Sequence, residues 1–183
     1  MSPDIQIQRD HSWIDAIRSG DERAFEEMFH FYHAPLVAYA ATFLHSGDGA
    51  REVVQEVFLN IWQHRANWTV HFGLRPYLFR AVRNRVLDHQ KRKYRHVEVG
   101  TDGRDWGIEA EVEDRLAHAD LQAAYGRALV ALPERRRTAF VLHREHGLSC
   151  TEIAHIMEIS ERTVEHHIGK ALSTLRHALA DLL

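Results

Sequence analysis

The residues of this sequence best suited to chemistry are cations and hydrogen-bonding side chains spaced for contact with nucleic acid. Arg162, Glu165, His166 and Lys170 follow one another at steps of three, one and four residues. In a helix this spacing puts them on one broad face. Side chains of these types hydrogen-bond base edges or hold phosphates when a helix enters a major groove.

Two short helices with a tight joint are predicted around this face. Gly147 can end one helix in the left-handed conformation, and Ser149 with Glu152 can form a capping box that starts the next. Ser160 is a second N-cap candidate, and apolar residues recur after it at helical spacing. Helices joined so closely form a helix-turn-helix. Glu158 stands at the turn, where glycine is frequent, and we expect a small strain cost there.

A second candidate surface comes from the distribution of charge, although the formal net charge of the 183 residues is only −3. Residues 75–95 hold eight Lys or Arg against one Asp, whereas residues 1–74 and 96–120 are both net acidic. Such a short basic block indicates a localised contact with a polyanion. Trp68 and Phe72 precede it. Basic residues can hold phosphates while aromatic rings stack on unpaired bases, so this block suits single-stranded or melting DNA.

Apolar periodicity predicts helices and no strand, so the fold class is all-α. We expect two small helical domains, residues 1–95 and 121–183, the second a helix-turn-helix domain. An acidic flexible linker over residues 96–120 should join them, because glycines lie there among acids.

The individual helices can also be placed from their caps and breakers. In the first domain we predict a helix capped by Asp21 and kinked at Pro35, a helix from about Ala50 to His64 capped by Asp48, and a long helix opened by Pro76. After the glycines of the predicted linker, helix should resume from about Glu109, and in the second domain Pro133 should start a further helix over Glu134–His146.

The cysteine count, the histidine spacing and the hydropathy argue against a disulfide-bonded, a membrane-spanning or a metal-binding protein. Cys150 is the single cysteine, which excludes an internal disulfide and suits a reducing cytoplasm. We see neither a signal peptide nor an apolar run long enough to span a membrane. Among 15 histidines, the pairs His30/His33 and His143/His146 could share a helix face, but no His-Glu-x-x-His motif or cysteine pair accompanies them. We expect no metal and no cofactor.

Three motifs in order resemble the extracytoplasmic-function (ECF) group of bacterial sigma factors, within the sigma-70 family. The family's polymerase-binding helix is similar to Val54–Phe58 with Ile61 and Trp62. Its minus 10 recognition helix is similar to Tyr77–Asn84 continuing to Asp88. Its minus 35 reader is similar to Leu132-Pro133, Gly147–Ser149, Glu152–Ala154, Ile159-Ser160 and Thr163-Val164.

The resemblance implies a cytoplasmic, non-catalytic sigma factor that binds core RNA polymerase at the β′ clamp helices, binds promoter DNA and is held by an anti-sigma factor. The implied contacts to core polymerase are Glu52, Gln55, Glu56, Asn60 and Gln63. The implied contacts to the minus 10 element are Asn67, Trp68, Arg80, Arg83, Asn84, Asp88 and Lys91. The implied contacts to the minus 35 element are Arg162, Thr163, Glu165, His166 and Lys170.

Other interpretations of the sequence remain open. Ile159–Leu175 also resembles the output domain of LuxR-type response regulators, although the β–α alternation of a receiver domain is absent from this sequence. A helical hairpin that only packs, and a metal enzyme built on the histidines, are the remaining alternatives.

Overall fold

The structure is a computed structural model that describes the backbone of residues 3–44, 46–97 and 116–180, and the side chains of residues 5–44, 46–92 and 121–180. Every regular element in these ranges is helical, so the predicted all-α class is confirmed. The helices are α1 (Pro3–Arg18), α2 (Glu22–Leu44), α3 (Gly47–Gln63), α4 (Leu74–Val97), α5 (Leu116–Ala131), α6 (Glu134–Arg144), α7 (Cys150–Met157) and α8 (Glu161–Ala178). A single 3-10 turn, Arg65–Asn67, lies between α3 and α4.

The chain divides into two compact units, Met1–Thr101 and Asp102–Leu183. Most of the predicted acidic linker, together with the helix start predicted at Glu109, lies outside the described residues. The two ends of that predicted linker are helical, because α4 extends to Val97 and α5 begins at Leu116.

Helix α2 forms the centre of the N-terminal unit and contacts α1, α3 and α4. Its buried side chains are Ala24, Met28, Tyr32, Leu36, Tyr39, Ala40 and Phe43. The Phe58 ring of α3 packs edge-on against Phe25 and Phe29 of α2, at centroid distances of 6.1 and 4.9 Å. Burial of a large apolar side chain stabilises a fold by about 1.5–3 kcal/mol, so this packing holds α3 in a fixed position against α2.

Helix α1 is an element that the sequence analysis missed. Its mean composition is polar, and its few anchoring residues are Trp13 and Ile17, which are buried, and Asp10. The Asp10 carboxylate accepts hydrogen bonds from the Tyr32 hydroxyl at 2.9 Å and from Gln6 Nε2 at 2.7 Å. Burial raises the pKa of Asp10 above its usual 3.8, and the hydrogen bonds from Tyr32 and Gln6 oppose that rise. A buried carboxylate therefore ties α1 to α2.

Two helix starts differ from prediction. Ser46, not Asp48, caps α3: the Ser46 backbone is extended and its Oγ accepts the Gly49 N–H at 3.2 Å. Asp48 pairs instead with Arg51. Helix α4 begins at Leu74, so Pro76 occupies its third position rather than its first. Proline is tolerated there because the first four N–H groups of a helix have no intrahelical partner.

Two further expectations concern α2. The Asp21 carboxylate accepts the Ala24 N–H at 3.1 Å, so the predicted cap is confirmed. Pro35 was predicted to kink the helix, and α2 continues through it as one element from Glu22 to Leu44.

The C-terminal unit is built around the last three helices, with α8 in contact with α5, α6 and α7. Pro133 occupies the N-cap position of α6, as predicted, and α6 ends at Arg144, two residues before the predicted end. The core side chains of the C-terminal unit include Leu129, Leu132, Phe140, Val141, Leu142, Leu148, Ile153, Ile156, Val164, Ala171 and Leu175.

Candidate functional site

Helices α7 and α8 form the predicted helix-turn-helix, and the predicted left-handed glycine and both predicted N-caps are present. Gly147 has φ of 62°, in the left-handed region. The Ser149 Oγ accepts the Glu152 N–H at 3.2 Å while the Glu152 carboxylate accepts the Ser149 N–H at 2.8 Å, which is the capping box. The Ser160 Oγ accepts the Thr163 N–H at 3.2 Å. These hydrogen bonds fix where α7 and α8 begin.

The turn between α7 and α8 carries the predicted strain. Glu158 adopts φ 56° and ψ 47°, and it is the one non-glycine residue with positive φ in the described part of the chain. A side chain in this region crowds the following carbonyl group and costs about 1–2 kcal/mol. Tight packing on both sides holds the turn in place, since Met157 and Val164 are buried next to it.

Helix α8 has one buried side and one exposed side. Val164, Ala171 and Leu175 are buried, whereas the predicted contact residues Arg162, Glu165, His166 and Lys170 are all exposed.

Thr163, also predicted as a contact, differs from these four. Its side chain is half-buried, and its hydroxyl lies 2.7 Å from the Ser160 Oγ. We therefore assign Thr163 to the start of α8 rather than to its exposed side.

The two adjacent histidines of α8 have different environments. His166 is exposed, whereas His167 is half-buried and its ring lies 6.3 Å from that of His166. Burial lowers the pKa of His167, and His166, Arg135 and Arg136 lower it further. The charged form of His167 is therefore disfavoured at the side of α8 that faces the positive charge of α6. Sequence reasoning did not connect Arg135 and Arg136 with α8, because nothing in their spacing reports that proximity.

The arginine cluster at the start of α6 is not uniform. Arg135 is exposed and Arg136 half-buried, but Arg137 is only 8% exposed and its guanidinium donates to the Val130 carbonyl oxygen at 3.3 Å. Two of the three arginines are therefore accessible, and the third supports the junction of α5 and α6.

Helix α3 presents a second polar surface, opposite a buried stripe of Val53, Val54, Val57, Phe58 and Ile61. Its predicted contact residues Glu52, Gln55, Asn60 and Gln63 are exposed. Leu59 lies four residues after Gln55 and four before Gln63, and it is 55% exposed. Leu59 could have been identified from the sequence, because it is an apolar residue within the polar face and lies four residues from each of two predicted contacts.

Glu56, the remaining predicted contact of α3, has a partner on α4. Its carboxylate lies 3.6 Å from the Arg85 Nε, with both side chains about two-fifths exposed. Arg85 also lines a groove between the two helices. The residues that line this groove are Val57, Asn60, Ile61, Tyr77, Ala81, Asn84, Arg85 and Asp88. The groove brings residues predicted for polymerase contact next to residues predicted for DNA contact.

Helix α4 exposes part of the predicted minus 10 set. Asn84, Asp88 and Lys91 are exposed, with the Asp88 carboxylate 4.0 Å from the Lys91 ammonium, whereas Arg80 and Arg83 are half-buried.

The two aromatic residues of the loop before α4 differ in their exposure to solvent. Trp68 is only 5% exposed, and its ring packs edge-on against Tyr77 at 5.8 Å. Phe72 is 42% exposed, and Asn67 is exposed. A base can reach Phe72 and Asn67 directly, but it could reach Trp68 only after displacement of that packed ring.

The described residues give no support to the metal-enzyme interpretation. Among them, no group of three or more His, Cys, Asp or Glu is arranged to hold a metal ion. The His33 ring packs 4.7 Å from Phe29, and the His143 Nδ1 lies 3.0 Å from the Leu148 carbonyl oxygen. A separate property of the helices is their length and hydropathy. None of the helices in the described ranges is both long enough and apolar enough to cross a membrane.

Comparison with known proteins assigns the class. Sigma-70 region 2 matches residues 28–96, which include most of α2 and all of α3. Sigma-70, region 4 matches residues 122–175, which include the helix-turn-helix. Together the two family models cover more than half of the chain, which therefore belongs to the sigma-70 family of RNA polymerase sigma factors.

Individual relatives narrow this assignment to the ECF group. The chain is 25% identical to the RNA polymerase sigma-H factor of Pseudomonas aeruginosa over 187 residues, with 96% of each chain covered. It is 25% identical to the ECF RNA polymerase sigma factor SigW of Bacillus subtilis, with 92% of this chain and 96% of SigW covered. Its fold is similar to that of the sigma factor RpoE of Bartonella quintana, solved with the anti-sigma factor NepR. That similarity has a TM-score of 0.71 at 23% identity and covers 85% of this chain and 96% of RpoE. The protein is an ECF sigma factor, and its function is promoter recognition for RNA polymerase.

Proposed function

We propose that the protein binds core RNA polymerase through α3, captures the melted minus 10 element with α4 and its preceding loop, and reads the minus 35 element with α8. The observation that carries this proposal is the exposed side of α8, where Arg162, His166 and Lys170 lie opposite a fully buried stripe within a capped helix-turn-helix. The polymerase performs the chemistry, and this chain supplies binding and positioning.

The polymerase-binding surface that we propose is the exposed side of α3, and its partner is the pair of β′ clamp helices. Glu52, Gln55, Leu59 and Gln63 follow one another at steps of three or four residues and are all exposed. An apolar side chain surrounded by polar ones matches the usual arrangement of a protein–protein contact, which has an apolar centre and a polar rim. Glu56 and Asn60 flank this column, and the ion pair of Glu56 with Arg85 couples it to α4.

The minus 10 surface that we propose combines exposed hydrogen-bonding groups with cations. The Asn84 and Asn67 amides can bond a base or sugar edge, and Arg80, Arg83 and Lys91 can hold phosphates of the non-template strand. Phe72 is the accessible ring on which an unpaired base can stack. Base–aromatic stacking contributes about 1–3 kcal/mol per base, which offsets the few kcal/mol of unstacking on melting.

The minus 35 surface that we propose is less basic. Arg162 and Lys170 carry its positive charge, and Glu165 and His166 add groups that can accept or donate hydrogen bonds at base edges. A carboxylate accepts from the cytosine amino group, so Glu165 favours cytosine at the base pair that it meets.

An anti-sigma factor is the regulatory partner that we propose. The similar structure of Bartonella quintana RpoE is a complex with the anti-sigma factor NepR. A partner that covered α3 or α4 would block polymerase and DNA together, because the groove between these helices contains residues of both proposed surfaces. We propose the cytoplasm as the compartment, where polymerase and promoter DNA are both present.

Run-off transcription with purified core polymerase and a pool of promoter sequences tests the proposal directly. We expect transcripts only when the protein is added, and enriched templates should share two conserved elements at a fixed separation. Arg162→Ala and Lys170→Ala should weaken binding to the upstream element, the first by about 1–3 kcal/mol if it removes a bidentate base contact. Binding of duplex DNA without any dependence on core polymerase would instead favour an ordinary helix-turn-helix regulator.

A further inference from the structure

Gly169 lies in the middle of α8, and none of the described residues of the C-terminal unit requires a glycine at that position. A Cβ atom built there would meet no heavy atom of the described residues within 4 Å, apart from its two chain neighbours and the nearby backbone of α8 itself. Its φ is not positive, in contrast to Gly147, whose φ of 62° favours glycine. Glycine is the least favourable residue in a helix interior apart from proline, because its unfolded backbone has the most freedom to lose. The helix thus carries a stability cost that its own packing does not explain.

Gly169 lies on the exposed side of α8. Arg162, His166 and Ser173 lie seven residues before, three before and four after it, so all four share one line along the helix. All four positions are exposed, and the buried residues Val164, Ala171 and Leu175 occupy the opposite side. Gly169 is therefore at the centre of the side proposed to enter the major groove.

We propose that Gly169 is a point of close approach, where a base-pair edge of the upstream duplex meets the backbone of α8 with no side chain between them. This inference rests on the proposed docking of α8 in the major groove. Glycine is the residue that allows a backbone to approach a ligand closely. A methyl group at position 169 would occupy that space and move the helix outward. The hydrogen bonds of Arg162 and His166 to the same groove would then lengthen, and such bonds weaken steeply with distance.

Two alanine variants separate this role from a structural one. Gly126 of α5 is also a helical glycine at which a Cβ atom would meet nothing within 4 Å. Gly126→Ala and Gly169→Ala should therefore both raise the melting temperature by up to several degrees, because alanine is the better helix former. Only Gly169→Ala should weaken binding of the holoenzyme to the duplex that the wild type selects from a random pool. We expect a loss of about tenfold at fixed salt and a larger loss for Gly169→Leu, with Gly126→Ala unchanged.

If Gly169 had a purely structural role, Gly169→Ala would not raise stability while weakening binding to the upstream duplex. A second random-pool selection with Gly169→Ala should show altered preference at one or two adjacent base pairs. An equal loss on every sequence, including non-specific duplex, would refute the base-edge contact. A lowered melting temperature, or wild-type affinity, would overturn the inference altogether.

The variants also distinguish this inference from the proposed function on which it rests. If Arg162→Ala and Lys170→Ala weaken upstream binding while Gly169→Ala does not, the docking of α8 stands and the role of Gly169 is wrong. If none of the three variants changes upstream binding, the docking itself is wrong.

Discussion

Replacement of Leu59 by alanine is the sharpest test of the polymerase-binding surface. Leu59 is 55% exposed on α3, so its substitution leaves the core of the N-terminal unit nearly intact. Complete burial of a leucine side chain contributes about 1.5–3 kcal/mol, and roughly half of that area remains available for burial against a partner. We therefore expect Leu59→Ala to weaken core binding by about 0.8–1.5 kcal/mol, or about four- to twelvefold.

Substitution at Glu56 would give a less clear result. The Glu56 carboxylate pairs with Arg85 of α4 at 3.6 Å, so Glu56→Lys would place two cations together and disturb the proposed DNA surface as well. Gln55→Lys avoids this problem and should weaken core binding while leaving helicity unchanged.

The assay for Leu59→Ala is competition between labelled wild-type protein and unlabelled variant for purified core polymerase. Ile5→Ala is a matched control, because Ile5 is 56% exposed on α1 and belongs to no surface proposed here. Thermal unfolding of both variants should match the wild type within about 0.5 kcal/mol. Equal competition by Leu59→Ala and wild type, with both folded, would refute the assignment of α3 as the polymerase-binding helix.

Three further predictions test the turn, the buried carboxylate and the melting surface. Glu158→Gly should relieve about 1 kcal/mol of left-handed strain and raise the melting temperature of the C-terminal unit by about 4–8 °C, whereas Glu158→Ala should give no such rise. The pKa of Asp10 is raised above 3.8 in the folded state, so its contribution to stability is full below pH 3.8 and is lost as pH rises through the raised value. The stability of the wild type relative to Asp10→Asn should therefore fall as pH rises above about 4, and parallel pH profiles from denaturant unfolding would contradict this. Asn84→Ala should reduce transcription from duplex promoters, and a template with a pre-melted bubble should restore much of it; an equal loss on both templates would exclude a role in melting.

The helix-turn-helix was predictable from sequence because its signals are local. Gly147, the Ser149–Glu152 capping box and Ser160 each act within a few residues of their own position. The cost at Glu158 was predictable for the same reason, since left-handed geometry at a tight turn depends on one residue's φ and ψ. Local hydrogen-bond chemistry can be read without knowledge of the rest of the fold.

Features that depend on tertiary packing were missed or misjudged. Helix α1 has a polar average composition, and only its packing on α2 shows that Trp13, Ile17 and Asp10 are the residues that anchor it. Composition likewise could not tell that the ring of Trp68 is buried against α4 whereas Phe72 is accessible. Which member of an aromatic pair faces solvent is decided by neighbours distant in sequence, and periodicity carries no information about them.

The charge of α8 has a consequence for how the two promoter elements divide their roles. Helix α8 carries three cations, Arg162, Lys170 and Arg176, against the acids Glu161 and Glu165, so with a net charge of only +1 it gains little from non-specific attraction to phosphates. Arg162 and Lys170 are the two cations among its proposed contacts. Each neutralised phosphate contributes about −0.9 to the slope of log K against log salt. Two cations therefore predict a slope near −2 for the upstream element.

Helix α4, which contains the basic block of residues 75–95, should make the salt dependence of the whole promoter complex much steeper. If the upstream slope reached about −4, Arg135 and Arg136 of α6 would be the additional contacts, and Arg135→Ala and Arg136→Ala should each reduce it by about one. A slope near −2 that these variants leave unchanged would mean that α8 alone carries the upstream phosphate contacts. Upstream recognition would then depend mainly on hydrogen bonds to base edges, and most of the electrostatic affinity would come from α4.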